Sequence, residues 1–433
     1  MSFFNQIKKI YASEFFKFSA VLLTSNVIAQ IIGFVAYPII TRLYNPEVFG
    51  FFNFFLSIVS VLTLLTTGQY ELAIILPKSE KKAVALFQLS LLLTVFFSLL
   101  FFIVVSLFGR KITSLFHQEQ LVSLLQYLPL YLLLYGFWQS LNYYFVRQKK
   151  YYNLSVYNVV QSTAGSILKC FFGIKGFFVY GLVWGQLFGQ FLATLISAIS
   201  GKSFLRHLKQ WDRQKIKIVA KTYSNFPKFQ LPHALLNTLA GNLPILLLPF
   251  YFKMEMSKIG LFSLALSIGL VPVSLFSNSI CQVLFRKMSE RIQNKEKIMN
   301  DCILFCKMCV IFILPFFVFF PFIPNKFFGF LFGQHWIDVG FYLKLLLPCL
   351  FLSILVSSLS FIPDIFFKQK TAAIIELIYL ILKTIAILLG VYFQSFNLAI
   401  IFYCVIVTFM LMVKLLWYFK IVRKYELSVE IKL

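Results

Sequence analysis

An uncharged stretch of 26 residues, AVALFQLSLLLTVFFSLLFFIVVSLF at positions 83–108, decides the fold class of this chain. A helix needs about twenty consecutive, mostly apolar residues to cross the hydrocarbon core of a bilayer. Lys81 and Lys82 lie just before the stretch, and Arg110 and Lys111 lie just after it. Basic residues concentrate beside membrane spans, so the stretch predicts a transmembrane helix.

The composition of the whole chain extends this prediction. Of the 433 residues, 60% are hydrophobic and only 13% are charged, and the mean hydropathy is +0.85. Soluble domains are about half apolar and roughly a quarter charged. So much apolar surface exceeds what a soluble core buries, and we therefore expect an all-α membrane protein.

Runs long enough to cross a bilayer recur along the whole sequence, which predicts about twelve transmembrane helices. The predicted spans are residues 18–40, 50–76, 83–108, 121–145, 153–174, 177–200, 227–250, 258–285, 302–323, 339–362, 371–393 and 396–419.

The 40 Lys and Arg residues provide an independent test of this count. With the N-terminus inside and the spans alternating, about 28 of them lie in inner segments and about 7 in outer loops. Inner segments of membrane proteins carry the excess of Lys and Arg, so we predict that both termini are cytoplasmic. The formal charge of +25 reflects this topology, and no nucleic-acid partner is expected, because the basic residues form short clusters between apolar runs.

The spans divide into two sets of six around the longest inner loop. We predict an N-terminal bundle at residues 1–200, a cytoplasmic linker at 201–225 and a C-terminal bundle at 226–433. The sequence FGFF at 49–52 is echoed by IGLF at 259–262, and Ser-Ile follows at the same spacing in both. Such an echo favours an internal repeat, an architecture that builds a transport site between two halves.

Four stretches resemble a known family. YPIITRLYNPEVFG at 37–50 is similar to the first helical hairpin of the Wzx-like oligosaccharide flippases, which belong to the multidrug/oligosaccharidyl-lipid/polysaccharide exporter superfamily. YELAIILPK at 70–78 resembles the end of the family's second helix. FPKF at 226–229 and VPVSLF at 271–276 resemble its seventh and eighth helices.

The resemblance extends over nearly the whole chain and implies a function. It implies a V-shaped pair of bundles in the bacterial inner membrane that moves undecaprenyl-diphosphate-linked oligosaccharide outward by alternating access. The pathway would make O-antigen, capsule or exopolysaccharide, with a polysaccharide polymerase and a chain-length regulator as further partners. The motifs identify the family and not the sugar.

An anionic diphosphate needs a wet cationic path, and ionisable residues deep in spans are functional candidates by default. Lys383 is the first candidate for substrate binding. Glu376, Tyr379 and Lys383 share one helix face, so Glu376 would either partner Lys383 or take up a coupling ion. The alternative is a structural Lys–Glu pair that joins two helices.

Other intramembrane charges give weaker candidates. Lys169 and Lys307 either line the cationic cavity or extend to the headgroups. Lys344 and Lys414 lie near span ends, where extension to the headgroups is favoured. Glu71 is a second candidate for ion coupling, or it pairs with a nearby lysine such as Lys78.

Two further features complete the candidate list. Arg42, just outside the first span, either holds an outer gate or simply ends its helix. Cys302, Cys306 and Cys309 have a spacing used by some iron–sulfur enzymes, but they lie in an apolar run where Cys is a small buried hydrophobe. No Gly-x-x-x-x-Gly-Lys loop or catalytic motif is present in the sequence, so we expect neither a cofactor nor an enzyme.

Two classes of alternative compete with the flippase. A multidrug or lipid II exporter of the same superfamily is the first. Cation exporters need acidic binding residues, which are few here, and the resemblance implies about fourteen helices for a lipid II flippase. The second class is a membrane polysaccharide polymerase or ligase, which would need a large periplasmic loop; the outer loops here reach only about fifteen residues by the span assignment.

Overall fold

The computed structural model describes residues 14–116, 123–200, 212–252 and 255–430, and helices joined by short turns account for nearly all of them. The helices are α1 Glu14–Leu43, α2 Pro46–Thr66, α3 Glu80–Phe116, α4 Leu128–Arg147, α5 Tyr151–Ile174, α6 Phe178–Ser200, α7 Arg213–Thr222, α8 Leu231–Tyr251, α9 Met256–Gln293, α10 Met299–Phe312, α11 Leu314–Phe319, α12 Asn325–Phe332, α13 Val339–Ser358, α14 Ile362–Ile365, α15 Gln369–Tyr392 and α16 Phe396–Glu430.

The prediction of about twelve membrane helices is confirmed. Within these ranges, ten helical segments are long and apolar enough to cross a bilayer. The helices α4 and α5 correspond to the two remaining predicted spans and are less apolar. Some of their polar side chains form hydrogen bonds to neighbouring helices. On α5, Tyr157 Oη donates to Gln190 Oε1 of α6 at 2.6 Å, and Asn153 and Ser197 exchange hydrogen bonds. Such bonds between helices satisfy polar groups inside a bilayer. The chain is a multi-pass membrane protein.

The chain forms two compact units. Unit 1 contains residues 1–44 and 51–239, and unit 2 contains residues 45–50 and 240–433. Residues 1–13 and 201–211, and with them part of the predicted linker 201–225, lie outside the described residues. The first turn of α2 therefore belongs to unit 2, and the rest of that helix belongs to unit 1.

Small residues bring helices close together within unit 1. The α5 and α6 helices pack along their lengths, and a Cβ added to Gly189 would lie 2.6 Å from the Cα of Gly165. Helices in membranes associate through such close backbone approaches. Beside this pair, α3 and α4 bury Leu86, Phe87 and Tyr144 completely.

Unit 2 contains a reciprocal contact between the two glycines of the sequence echo. A Cβ on Gly50 would overlap the carbonyl oxygen of Met256, and a Cβ on Gly260 would overlap the carbonyl oxygen of Pro46. Each of these carbonyls belongs to the residue four positions before the opposite glycine, Met256 before Gly260 and Pro46 before Gly50. The contact joins the two glycines that the expected internal repeat would pair, and only glycine fits at both positions.

The structure differs from the sequence prediction at the end of the second span. The predicted span 50–76 ends as a helix at Thr66, and Gly68 and Gln69 then adopt left-handed backbone angles with φ of 60° and 62°. A short 3-10 helix, Tyr70–Ile75, follows. Left-handed residues end an α-helix because they turn its hydrogen-bond direction.

A second difference lies in the predicted linker. Its residues 213–222 form the amphipathic helix α7, which begins where Asp212 accepts hydrogen bonds from the backbone amides of Gln214 and Lys215. Ile216 and Val219 are buried against α3. Tyr70 Oη donates to the carbonyl oxygen of Ala220 at 2.9 Å, so this helix packs onto the bundle of unit 1.

Candidate functional site

Lys383 lies in the middle of α15 and is 6% exposed. Its Nζ lies 3.9 Å from the ring centroid of Tyr379 and 5.9 Å from that of Tyr403, which belongs to α16. The ammonium donates a hydrogen bond to the carbonyl oxygen of Ala240 at 3.2 Å. An ammonium buried between aromatic faces and one carbonyl keeps part of the stabilisation that water would provide.

The acceptor of that hydrogen bond has a specific origin. In an α-helix the carbonyl of residue 240 would receive the amide of residue 244, but residue 244 is proline and has no amide hydrogen. Inside a membrane another group must satisfy the freed carbonyl. Lys383 is that group, so its charge stabilises the proline-interrupted helix α8.

A second lysine reaches the same aromatic ring. Lys414 Nζ lies 4.4 Å from the ring centroid of Tyr379, and it donates to Glu376 Oε1 at 2.6 Å. Two ammonium groups therefore share one tyrosine ring, and one carboxylate accompanies them. We call Glu376, Tyr379, Lys383, Tyr403 and Lys414 the two-lysine cluster.

The pairing of charges in this cluster differs from the one considered from the sequence. Glu376 pairs with Lys414 and not with Lys383. Glu376 and Lys383 both lie on α15, separated by two helical turns or about 10 Å along the axis. Lys414 approaches Glu376 from the adjacent helix α16. Lys414 itself is buried and pairs with Glu376.

Sequence reasoning missed Lys414, Tyr403 and Ala240 as members of this cluster. Two signals were available. Lys414 interrupts the apolar run 396–419, which marks an intramembrane charge by the same rule as Lys383. Pro244 identifies Ala240 as a carbonyl in need of a donor, although only the fold shows which donor supplies it.

Lys169 belongs to unit 1, on α5. Its Nζ donates to Gln186 Oε1 at 2.6 Å and lies 5.2 Å from the ring centroid of Phe52. Gln186 also bonds the hydroxyl of Tyr131, and the Lys169 carbonyl accepts from Tyr44 Oη at 2.8 Å. Lys169 is thus one member of a polar cluster formed by Tyr44, which follows α1, and by residues of α4, α5 and α6.

Lys307 and Arg42 have exposed side chains. Lys307 lies on α10, and within the described part of the chain no ion pair involves it. Arg42 lies in the last turn of α1. Lys344, by contrast, donates to Asn325 Oδ1 at 3.0 Å, which joins α13 to α12.

Glu71 is the most buried carboxylate candidate. It is 2% exposed and lies in the 3-10 helix that follows α2, outside the membrane-spanning segment. Among the described residues, Glu71 Oε2 and the nearby hydroxyl of Thr67 have no hydrogen-bond partner. Burial raises the pKa of Glu71 above its ordinary value, and the Thr67 hydroxyl opposes the shift.

The segment that carries Glu71 is fixed at its far end by Arg147. The guanidinium donates through Nη1 to the carbonyl oxygens of Ile74 at 3.2 Å and Pro77 at 2.7 Å, and Nε pairs with Glu80 at 3.0 Å. The 3-10 helix Tyr70–Ile75 thus lies between the left-handed residues Gly68 and Gln69 at one end and the Arg147 contacts at the other.

Cys302 and Cys309 are buried on α10, as expected for small apolar side chains in a span. Across the ranges that the structure describes, no group of three or more His, Cys, Asp or Glu residues is arranged to hold a metal ion.

Comparison with known proteins places this geometry in a family. A family model for polysaccharide biosynthesis proteins matches residues 39–340. No curated protein is detectably similar in sequence. Several solved structures share the fold at low identity, and three of them illustrate its range.

The first is an inward-facing multidrug resistance transporter of the MATE family and the MOP superfamily, at 16% identity and a TM-score of 0.67, covering 94% of this chain and 98% of that one. The second is the lipid II flippase MurJ in an inward closed conformation, at 15% identity and a TM-score of 0.68, covering 95% and 91%. The third is a MOP superfamily transporter from Pyrococcus furiosus, at 15% identity and a TM-score of 0.52, covering 95% and 96%.

These likenesses confirm the expected fold class. The family model covers most of the chain, including residues 39–50 of the 37–50 stretch and the whole 70–78 stretch that suggested the resemblance. The chain therefore belongs to this family of polysaccharide biosynthesis proteins, and it has the helical fold of the exporter superfamily that includes the oligosaccharide flippases.

Proposed function

We propose that the protein is a flippase for undecaprenyl-diphosphate-linked oligosaccharide repeat units in the bacterial inner membrane, acting by alternating access in the synthesis of O-antigen, capsule or exopolysaccharide. The family supports a role in polysaccharide biosynthesis. The likeness to MurJ, named a lipid II flippase, and to MATE transporters supports movement of a substrate rather than its chemical conversion.

The observation that carries the substrate class is the charge of the two-lysine cluster. Its two ammonium groups outnumber its one carboxylate, and both lysine side chains are buried in apolar helices. A diphosphate accepts hydrogen bonds from ammonium groups, which bind phosphate as compact charges. Lys383 is the proposed binding residue, because within the described ranges its ammonium donates to one acceptor, the Ala240 carbonyl, which a phosphate oxygen can replace.

Lys169 and Lys307 are further proposed contacts of the anionic headgroup, and Arg42 is proposed to act at an outer gate. The energy is proposed to come from an ion gradient, with Glu376 or Glu71 taking up the ion. A polysaccharide polymerase and a chain-length regulator are the proposed partners that consume the product, while membrane lipids surround the protein.

A deletion strain tests the function. Loss of the protein should abolish surface polysaccharide and leave lipid-linked repeat units in the cytoplasmic leaflet, where a glycan-binding probe added from the periplasm does not reach them. Normal surface polysaccharide in that strain would contradict the proposal. Complementation with Lys383→Gln should fail at unchanged protein level, while the matched Lys344→Gln, in a lysine that bonds Asn325, should complement.

A multidrug exporter is the alternative that shares the fold. It predicts a different result in the same strain: increased sensitivity to cationic drugs with intact surface polysaccharide. A polymerase or ligase predicts that single repeat units reach the periplasmic leaflet but are not joined or transferred there.

A further inference from the structure

A cleft of about 480 Å³ lies in unit 2 where the beginning of α15 meets the last turns of α16. Three lysines line it, namely Lys368, Lys420 and Lys424, together with the rings of Phe366, Trp417 and Tyr425. The cleft shares no residue with the two-lysine cluster. None of its residues belongs to the proposed transport site.

The length of α16 places this cleft at the depth of lipid headgroups. The helix runs from Phe396 to Glu430 and rises about 1.5 Å per residue, so about twenty residues cross the hydrocarbon core. Trp417, Lys420 and Lys424 come after that point. Tryptophan and tyrosine concentrate at the same level in membrane proteins, where their rings meet the headgroups.

The ion pairs that the structure describes leave the three lysines of the cleft without a carboxylate partner. Among the described residues, no ion pair involves Lys368, Lys420 or Lys424. Elsewhere in unit 2 the pattern is different, since Lys287 and Arg291 both pair with Asp301 at 2.8 Å. Lys420 and Lys424 are also four residues apart on one helix, where like charges repel each other unless an anion joins them.

The aromatic wall of the cleft is held in place by contacts of its own. The rings of Phe366 and Tyr425 pack with centroids 5.3 Å apart, and Tyr425 Oη donates to the carbonyl oxygen of Glu296 at 3.3 Å. A fixed apolar wall beside three ammonium groups fits a ligand with two parts, one phosphate and one hydrocarbon. Free phosphate has only the first part.

We propose that this cleft binds the headgroup of an anionic phospholipid, with the phosphate among the three lysines and the glycerol and first acyl carbons against Trp417 and Phe366. Basic pockets between membrane helices are recognised sites for anionic lipid headgroups. The occupant is a phospholipid of the surrounding bilayer rather than the transported lipid, and the site does not depend on which cargo the protein moves.

Native mass spectrometry of the full-length purified protein tests the proposal, with phosphatidylglycerol and phosphatidylcholine as probes. The test variant combines Lys368→Gln, Lys420→Gln and Lys424→Gln. The control combines Lys78→Gln, Lys81→Gln and Lys82→Gln, which removes the same charge from exposed lysines of unit 1. A second variant, called the Arg variant, combines Lys368→Arg, Lys420→Arg and Lys424→Arg and keeps the charge.

We expect the wild type, the unit 1 control and the Arg variant to retain phosphatidylglycerol over phosphatidylcholine. The Gln variant of the cleft should lose it at least about tenfold, since each basic residue near an anionic surface contributes about 1 kcal/mol. Equal loss in the unit 1 control would overturn the proposal, because general surface charge would then explain the binding.

Two competition experiments distinguish a phospholipid from other ligands that carry phosphate. Inorganic phosphate at the same concentration should not displace phosphatidylglycerol; displacement would show a simple anion site and contradict the lipid assignment. Undecaprenyl diphosphate that displaces phosphatidylglycerol from the wild type, and that itself binds the wild type but not the Gln variant, would assign the cleft to the substrate and would likewise overturn the proposal. Flippase activity does not enter either readout.

Discussion

Lys383 Nζ donates to the carbonyl oxygen of Ala240 at 3.2 Å, and that carbonyl is the one that Pro244 deprives of its helical donor. The lysine on α15 thus completes the backbone hydrogen bonding of α8. A phosphate oxygen that drew the ammonium away would leave the Ala240 carbonyl unsatisfied inside the membrane. Substrate binding at Lys383 and the shape of α8 are therefore linked through one hydrogen bond.

A double-mutant cycle measures this link. Lys383→Met should destabilise the protein by about 1 kcal/mol, because it leaves a buried carbonyl without a donor. In a Pro244→Ala background the same substitution should cost clearly less, since the amide of residue 244 then satisfies Ala240. The measurement is the free energy of unfolding of the purified protein in detergent.

The matched background is Pro249→Ala, in the same helix. That proline frees the carbonyl of Ile245, which Lys383 does not contact in the structure. Lys383→Met should therefore cost as much in Pro249→Ala as in the wild type. Equal coupling in both backgrounds would show that the Ala240 contact contributes nothing specific.

The second prediction concerns Glu376, which neutralises Lys414 beside the Tyr379 ring. Glu376→Gln should strengthen binding of undecaprenyl diphosphate several-fold, because both ammonium groups are then available to the anion. Lys383→Met should weaken it by about tenfold, the effect of losing one charged hydrogen bond. Fluorescence binding titrations in detergent give both numbers, and unchanged affinity in Glu376→Gln would remove the carboxylate from the binding site.

A third prediction uses the raised pKa of the Glu71 carboxyl, which burial keeps protonated above its ordinary range. A carboxyl whose folded-state pKa is raised stabilises the fold fully below its unfolded pKa, and this contribution is lost as pH rises through the folded pKa. The midpoint of thermal unfolding of the wild type should therefore fall as pH rises from the unfolded-state pKa of Glu71 through its folded-state pKa. Glu71→Gln should reduce this change of the midpoint with pH. Glu290→Gln, in an exposed ion pair with Arg286, is the charge-matched control and should keep the wild-type slope.

The sequence predicted the membrane helices well for a physical reason. An apolar run of about twenty residues has few stable conformations other than a spanning helix, and the basic flanks mark its ends. The same reasoning identified Lys383 as a functional candidate, because a charge within an apolar run needs a partner. The identity of that partner depends on which helices are neighbours, and the sequence does not contain this information.

Two local errors show where such reasoning stops. The run 50–76 is apolar throughout, yet its helix ends at Thr66 because Gly68 and Gln69 take left-handed angles. Glu71 consequently lies in a tight connection and not in a span. The helix α7 lies in a segment too short and too polar to resemble a span, and its local signals are the Asp212 cap and the apolar pair Ile216 and Val219 three residues apart.

The last prediction tests the reciprocal glycine contact. Gly260→Ala would force a Cβ against the carbonyl oxygen of Pro46, a backbone atom that moves only if the helix moves. We expect a destabilisation of about 1–3 kcal/mol, the cost of overpacking a close contact. Gly241→Ala is the control, because a Cβ at that helical position meets no atom within 4 Å. It should be neutral or stabilising by about 0.5–1 kcal/mol, since alanine favours the helix over glycine. Thermal unfolding in detergent compares the two, and equal midpoints would show that α2 and α9 tolerate separation at this contact.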